Sequence, residues 1–247
     1  MTPRTVVIAL SVLVALAISA VGPQGASAEG LGLYTCENTG SGPGFTSSTC
    51  ETPSGSGPWQ QVLANEKISR RWSSTGKVVL KTTYAGVKLT LAAAATASGI
   101  GTVENSVSGK ETYTHGSDTL KLEEVAVTEP GGKGCKIAGG SITTRELSST
   151  TLGQGMFMKV ASASGPVLAE FTIEGCAITF LNGSYKLEGS ADGLLVGASI
   201  VFTETEVTTQ GTLAINTLAT GMEGVLDFEG RKIGSGEEWT KLAAKTT

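Results

Sequence analysis

Turn signals recur about every 8–12 residues between positions 59 and 229, and this spacing constrains the fold more than any other feature. The clearest are glycine and proline clusters and the dipeptides Asn182-Gly183 and Asp192-Gly193. Short runs of alternating apolar and polar residues lie between them, as at residues 87–91. We therefore predict an all-β domain over residues 59–240, a mainly antiparallel barrel or two-sheet sandwich of about a dozen strands.

Two of the predicted strands have distinctive patterns. Residues 119–128 form one strand whose apolar residues change face, which predicts a bulge near Glu123-Glu124. Residues 194–206 are predicted to form one long strand, on which Glu204 and Glu206 share a face.

The composition agrees with many short strands joined by turns. Glycine contributes 34 of the 247 residues, and charged residues make up only 16%, below the usual share of about 25%. The formal net charge of −4 argues against nucleic acid as a partner, because its phosphates demand a basic surface.

Residues 1–28 match a secretory signal peptide. Arg4 precedes an apolar run from Val6 to Ala20, and Ala26-Ser27-Ala28 fits the small-residue cleavage pattern, with cleavage after Ala28. The apolar run is short for a membrane anchor, which is the alternative interpretation. No other stretch is long and apolar enough to span a bilayer, so we expect a secreted or cell-envelope protein.

Four cysteines in an exported chain predict two disulfides, and three pairings are possible. We favour the bonds between neighbours, Cys36 with Cys50 and Cys135 with Cys176, because each would staple one local unit. In the chain-entropy model these bonds contribute roughly 3 and 4 kcal/mol.

The ends of the mature chain differ in composition from the β domain. Residues 29–58 are rich in glycine, serine, threonine and proline, and we predict a compact segment stapled by Cys36–Cys50. Residues 241–247 are predicted to be a frayed tail.

The sequence offers little catalytic or metal-binding chemistry. His115 is the single histidine, and it is followed by Ser117 and Asp118, but no Gly-x-Ser-x-Gly motif accompanies this triplet. With one histidine and four bonded cysteines, a zinc site is not expected, and neither phosphate-binding nor calcium-binding loops occur. We therefore predict no catalytic residue, no metal and no cofactor.

Carboxylate pairs are the one enzymatic alternative that the sequence leaves open. Glycoside hydrolysis requires two carboxyl groups facing one cleft, and Glu204 with Glu206 is the candidate pair. Polar positions on an outward strand face, the favoured interpretation, also explain this pair. Trp59 and Trp72 are candidates for a sugar-binding platform, although packing in the core is favoured for them as well.

The runs EPGGKGCKIAGGSITTREL, GQGMFMKV, FTIEGCAI and LNGSYKLEGSADG resemble a set of uncharacterised secreted proteins of soil actinobacteria. Those proteins combine a signal peptide with a short Cys-Gly-Cys-Trp module, which Cys36, Cys50 and Trp59 would form here. The resemblance implies secretion, a β-rich fold and disulfides, and it implies no activity.

These observations predict a non-enzymatic binding protein whose partner is a cell-envelope polymer, a small apolar ligand or another protein. The alternatives are an extracellular hydrolase that uses paired carboxylates and a structural coat component.

Overall fold

A computed structural model describes most of the chain from residue 31 to residue 246. The described residues are 31–40, 42–47, 50, 52–63, 67–93, 97–108, 111–152, 157–204, 211–233 and 239–246. They contain 23 strands, and seven of these are only two residues long. The count exceeds the predicted dozen partly because of these short strands and partly because β1, β2, β3 and β23 lie outside the predicted domain 59–240. The predicted signal peptide lies outside the described residues.

The N-terminal part of the chain forms a small antiparallel sheet of five strands. The strands are β1 (Leu31–Asn38), β2 (Gly44–Phe45), β3 (Pro53–Ser54), β4 (Trp59–Leu63) and β23 (Ala243–Thr246). Cys36 on β1 is bonded to Cys50, as predicted. The stapled unit therefore extends beyond the predicted boundary at residue 58, since β4 belongs to it.

The C-terminal segment corrects the prediction of a frayed tail. Strand β23 pairs with β1, with Tyr34 opposite Ala243 and Leu31 opposite Thr246. Leu242 is fully buried. Strands β1 and β23, at the two ends of the described chain, therefore meet in one sheet, a long-range pairing that local composition does not encode.

Eight strands close into an antiparallel barrel, which decides between the two predicted architectures. In order around the ring they are β5 (Ile68–Ser74), β8 (Ala97–Ser108), β9 (Glu111–Leu122), β13 (Leu147–Leu152), β14 (Phe157–Ser162), β17 (Ser190–Val196), β18 (Ser199–Phe202) and β21 (Gly221–Lys232). Strands β12 (Ile142–Thr143) and β22 (Thr240–Lys241) extend the barrel sheet at β9 and β21. Closure leaves no unpaired edge in the ring.

A second, curved sheet packs against one end of the barrel. Its strands, in pairing order, are β6 (Val79–Tyr84), β7 (Val87–Ala93), β10 (Val125–Glu129), β11 (Lys136–Ile137), β15 (Val167–Glu174), β16 (Gly183–Glu188), β19 (Ala214–Ile215) and β20 (Leu218–Ala219). The first residues of β21 pair with β6, so β21 belongs to both sheets. Apolar side chains from both sheets form a single core.

The predicted bulge near Glu123-Glu124 marks a passage between the sheets. Strand β9 ends at Leu122 in the barrel, and β10 begins at Val125 in the second sheet. Glu124 has a φ of 49°, a left-handed conformation that turns the chain between them.

The bond between Cys135 and Cys176 lies in the second sheet, again with the predicted pairing. It joins the turn before β11 to the loop after β15. The Asn182 side chain accepts a hydrogen bond from the Cys176 N–H and donates one to its carbonyl oxygen. A short 3-10 helix, Thr179–Leu181, completes this loop. Asn182-Gly183 therefore ends an eight-residue connection between β15 and β16 and is not the tight turn that the dipeptide predicts.

Two further predictions based on local sequence are wrong. Asp192-Gly193 lies inside β17, and its strand partners are Lys159 and Met158. The predicted strand 194–206 is divided by a turn at Gly197 and ends at Phe202, so Glu204 is not on a strand. Glu206 lies outside the described residues.

Candidate functional site

The barrel interior contains an ion pair sealed from solvent. Arg70 on β5 is fully buried, and Asp118 on β9 is 4% exposed. Arg70 Nε donates to Asp118 Oδ1 at 3.0 Å, and Nη2 binds Asp118 Oδ2 and donates to Ser149 Oγ at 2.7 Å. The guanidinium carbon also lies 4.4 Å from the centroid of the Trp72 ring.

Glycines make room for this pair inside the barrel. A Cβ atom at Gly116 would overlap the Arg70 guanidinium group, and one at Gly101 would overlap Asp118. Both glycines face inward, because Gly101 pairs with Arg70 and Asp118, and Gly116 pairs with the buried residues Val103 and Ser149. The side chains of Arg70 and Asp118 thus fill space that a core of larger apolar residues would otherwise occupy.

Next to Asp118, where the described residues of the barrel meet those of the second sheet, the core contains a small apolar cavity. Its volume is about 60 Å³, and its walls are almost entirely apolar. Lining side chains from the barrel and from the second sheet include Trp72, Leu120, Phe202, Leu80, Leu168 and Met222. Pockets for small molecules usually measure about 300–1,000 Å³, so this cavity is too small for a ligand of that size.

A second concavity is a groove on the outer face of the barrel, with a volume of about 580 Å³. We call it the outer groove. It is lined by Arg71, Trp72, Ser98, Gly99, Ile100, Thr119, Leu120, Lys121, Thr143, Arg231 and Trp239. Three of these residues are cationic, and none is acidic.

Strand register explains the floor of the outer groove. Ile100 on β8 lies directly between Arg71 on β5 and Thr119 on β9. In a neighbouring row Ser98 pairs with Lys121, which in turn pairs with Thr143. Arg71, Ile100 and Thr119 alternate along their strands with Arg70, Gly101 and Asp118, which face the interior, so the floor follows from the two-residue period of the strands. Ile100 is 62% exposed, which is unusual for a large apolar side chain.

An arginine–tryptophan–arginine cluster forms one wall of the outer groove. The guanidinium carbons of Arg71 and Arg231 lie 4.8 and 4.4 Å from the centroid of the Trp239 ring. Contact with the ring holds both cations in place while their remaining N–H groups stay available as donors. Arg71 also pairs with Glu229, and Lys121 Nζ lies 2.7 Å from Glu123.

The candidate catalytic triplet at His115 is not assembled. His115 Nε2 lies 2.7 Å from Glu104 Oε1 on the outer face of the barrel. Asp118 faces the interior and binds Arg70, while Ser117 donates to Glu146. No serine–histidine–aspartate relay exists among these three residues.

Glu204 has a different carboxylate neighbour from the one predicted. Lys81 Nζ lies 3.2 Å from Glu204 Oε2 and 2.7 Å from Glu223 Oε1, so these two oxygens are less than about 6 Å apart. The hydrogen bonds that the Lys81 ammonium group donates to Glu223 and then to Glu204 raise the pKa of Lys81 above its usual value. Neither glutamate lines the cavity or the outer groove.

Trp59 and Trp72 do not form a sugar-binding platform together. Trp72 is 5% exposed in the core, with its ring centroid 5.6 Å from that of Phe228. Trp59 belongs to the N-terminal sheet, where it pairs with Asn38 and Phe45. The favoured interpretation for Trp72, packing in the core, is confirmed.

Asp192 is a second buried carboxyl, on strand β17 of the barrel. It is 4% exposed, and its Oδ1 atom has no hydrogen-bond partner among the described atoms. Burial raises the pKa of Asp192, and the charge of Lys159 on the adjacent strand partly opposes this shift.

Within the described part of the chain, no three histidine, cysteine or acidic side chains lie close enough together to hold a metal ion. Among the same residues, no helix is long and apolar enough to cross a membrane. No protein-family model, curated protein or solved structure matches the chain.

Proposed function

We propose that this chain is an exported, non-enzymatic binding protein that recognises its partner through the outer groove. The observation that carries this proposal is the contrast in volume between the filled interior, with its cavity of about 60 Å³, and the outer groove of about 580 Å³. Two disulfides support a place outside the cytoplasm, where such bonds persist. The partner that fits this location is a polymer of the cell envelope.

The interior argues against a carrier of small apolar ligands. Proteins that carry such ligands in a barrel leave an enclosed cavity large enough to hold one. Here Arg70, Phe228 and Leu195 are fully buried and occupy that space.

The test compares two single substitutions in cosedimentation of the exported protein with isolated cell walls. Ile100→Glu changes the exposed floor of the outer groove, whereas Ala191→Val fills part of the cavity that Ala191 lines. We expect the first substitution to reduce the bound fraction and the second to leave it unchanged. The opposite result would assign binding to the interior. Equal binding by both variants would place the contact elsewhere on the surface, and the proposal would then be wrong.

The carboxylates at Lys81 support a second candidate, an extracellular glycoside hydrolase. Their oxygens are at most about 6 Å apart, an upper bound that includes the separation of about 5–5.5 Å that retaining glycosidases use. The Lys81 ammonium group, however, lies between the two carboxylates, where a sugar would have to enter. Release of reducing ends from wall polysaccharide that Glu204→Gln or Glu223→Gln abolishes would establish the hydrolase and refute the binding protein.

A structural coat component is the third candidate. It predicts self-assembly of the purified protein, which sedimentation velocity measures directly. The binding protein proposed here remains a discrete particle as its concentration rises.

A further inference from the structure

We propose that the occupant of the outer groove is a stretch of acidic polysaccharide, a polymer whose sugar units carry carboxylate groups. This inference rests on the proposed function and specifies the class of partner.

The charge of the outer groove favours an anionic occupant. The whole chain is acidic, with 22 acidic and 18 basic residues, yet the described lining of the outer groove contains the cations Arg71, Lys121 and Arg231 and no acidic residue. Glu229 and Glu123 lie beside Arg71 and Lys121, so Arg231 is the cation of the groove that has no carboxylate partner among the described residues, and its charge attracts an anion.

These three cations are available to bind a ligand. Arg231 has no carboxylate partner among the described residues, and its guanidinium group is held against Trp239. The partners of Arg71 and Lys121 are Glu229 and Glu123, and these pairs are partly exposed to solvent. Exposed ion pairs contribute little to stability, so a carboxylate of the ligand can replace either partner at small cost. The planar guanidinium group suits bidentate contact with that carboxylate.

The remaining lining favours a sugar chain over an acidic peptide or a phosphate polymer. Ser98, Thr119 and Thr143 line the groove with hydroxyl groups, which both donate to and accept from sugar hydroxyls. The exposed side chain of Ile100 lies among them, and it offers an apolar surface to the C–H face of a sugar ring. A phosphate polymer would use the cations and leave Ile100 without a role.

The experiment is calorimetric titration of the exported protein with an oligomer of galacturonate. The fully methyl-esterified oligomer controls for charge, while polyglutamate and polyphosphate test the two competing classes of polyanion. The variants are Arg231→Gln and Ile100→Glu. The matched control is Arg145→Gln, since Arg145 is an exposed arginine paired with Glu170 outside the groove.

We expect the galacturonate oligomer to bind and the methyl ester to lose binding. Arg231→Gln should weaken affinity about tenfold, because it removes a charged hydrogen bond to the ligand. Ile100→Glu should weaken it at least as much by placing a negative charge opposite Arg71. Arg145→Gln should bind like the wild type. Because Ile100 is exposed, the variant Ile100→Glu retains the fold and keeps the test valid even if Arg231→Gln does not.

Three results would each overturn the inference. They are no binding of the galacturonate oligomer, binding that neither groove substitution weakens, and equal or tighter binding of polyglutamate or polyphosphate. If the Ile100→Glu variant still lost its attachment to cell walls, the outer groove would remain the binding surface, and only the assigned class of polymer would be wrong.

Discussion

The buried pair of Arg70 and Asp118 makes a quantitative prediction for the variant Asp118→Asn. This substitution preserves the shape of the side chain and removes its charge. The Arg70 guanidinium group, which is fully buried and makes two contacts with Asp118, is then left without a counter-ion inside the barrel.

Removing one partner of a buried pair costs about 3–5 kcal/mol, because the other charge stays desolvated and unpaired. Native domains are stable by only about 5–15 kcal/mol, so we expect a large fraction of the stability to be lost. The matched control is Glu229→Gln, which removes the partner of Arg71 on the outer face of the barrel. Arg71 and Glu229 are 47% and 28% exposed at their side chains, and we expect a cost of about 0–1 kcal/mol.

Urea denaturation with both disulfides intact measures the two free energies of unfolding by linear extrapolation. A double substitution, Arg70→Met with Asp118→Leu, should recover most of the loss, since it replaces the ion pair by apolar groups. If Asp118→Asn costs no more than Glu229→Gln, the Arg70 guanidinium group must reach water. The description of a filled and sealed barrel would then be wrong.

Three further predictions concern Gly116 beside Arg70, the Cys36–Cys50 disulfide and the buried carboxyl of Asp192. Gly116→Ala places a methyl group against the Arg70 guanidinium and should lower the free energy of unfolding by about 1–3 kcal/mol in the same urea assay. Replacing Cys36 and Cys50 by alanine should increase hydrogen exchange in the N-terminal sheet and leave the barrel amides protected. Asp192 binds its proton more tightly in the folded state than in the unfolded state, so its contribution to stability is complete below its unfolded pKa and is lost as the pH rises through the raised pKa. The free energy of unfolding should therefore fall less steeply with rising pH in the Asp192→Asn variant than in the wild type.

Each of these predictions has a clear contrary result. A Cβ atom at Gly131 would make only an ordinary contact, 3.5 Å from the Thr128 carbonyl oxygen, so Gly131→Ala serves as the control for Gly116→Ala. Equal stability of the two variants would contradict the overlap with Arg70. Faster exchange throughout the barrel would show that the disulfide in the N-terminal sheet supports the whole molecule. An unchanged pH profile for Asp192→Asn would show that this carboxyl is solvated.

The sequence contains a signal for the buried ion pair, although no catalytic or metal-binding motif includes it. Arg70 lies on the same strand face as the apolar residues Ile68 and Trp72 of β5, and Asp118 lies on the same face as Leu120 of β9. A charged residue at an apolar position of a strand implies a buried partner of opposite charge. When the two strands are known to face the same interior, an arginine and an aspartate at such positions predict a buried ion pair.

The local signals that failed did so for a shared physical reason. Asp192-Gly193 has the composition of a turn, but pairing of β17 with β14 on one side and β18 on the other holds it in a strand. The C-terminal strand β23 is likewise stabilised by pairing with β1 at the opposite end of the chain. Tertiary pairing overrides local propensity in both cases.

The disulfides and the β class were predictable because they depend on spacing and alternation. The outer groove was not, because Arg71, Ile100 and Arg231 come from three strands, one of which is distant in sequence from the other two. Trp239 contacts both arginines because closure of the barrel places β5 next to β21. No motif of adjacent residues records such a cluster.

Methyl-resolved NMR of the isoleucine side chains during titration with the galacturonate oligomer shows directly whether the ligand binds at the outer groove. Ile100 lies on the floor of the outer groove, Ile142 lines the internal cavity, and Ile233 is exposed outside both. We predict that the Ile100 methyl resonance shifts in proportion to occupancy, while those of Ile142 and Ile233 stay in place. A shift at Ile142 with none at Ile100 would place the ligand inside the molecule and contradict recognition at the outer groove.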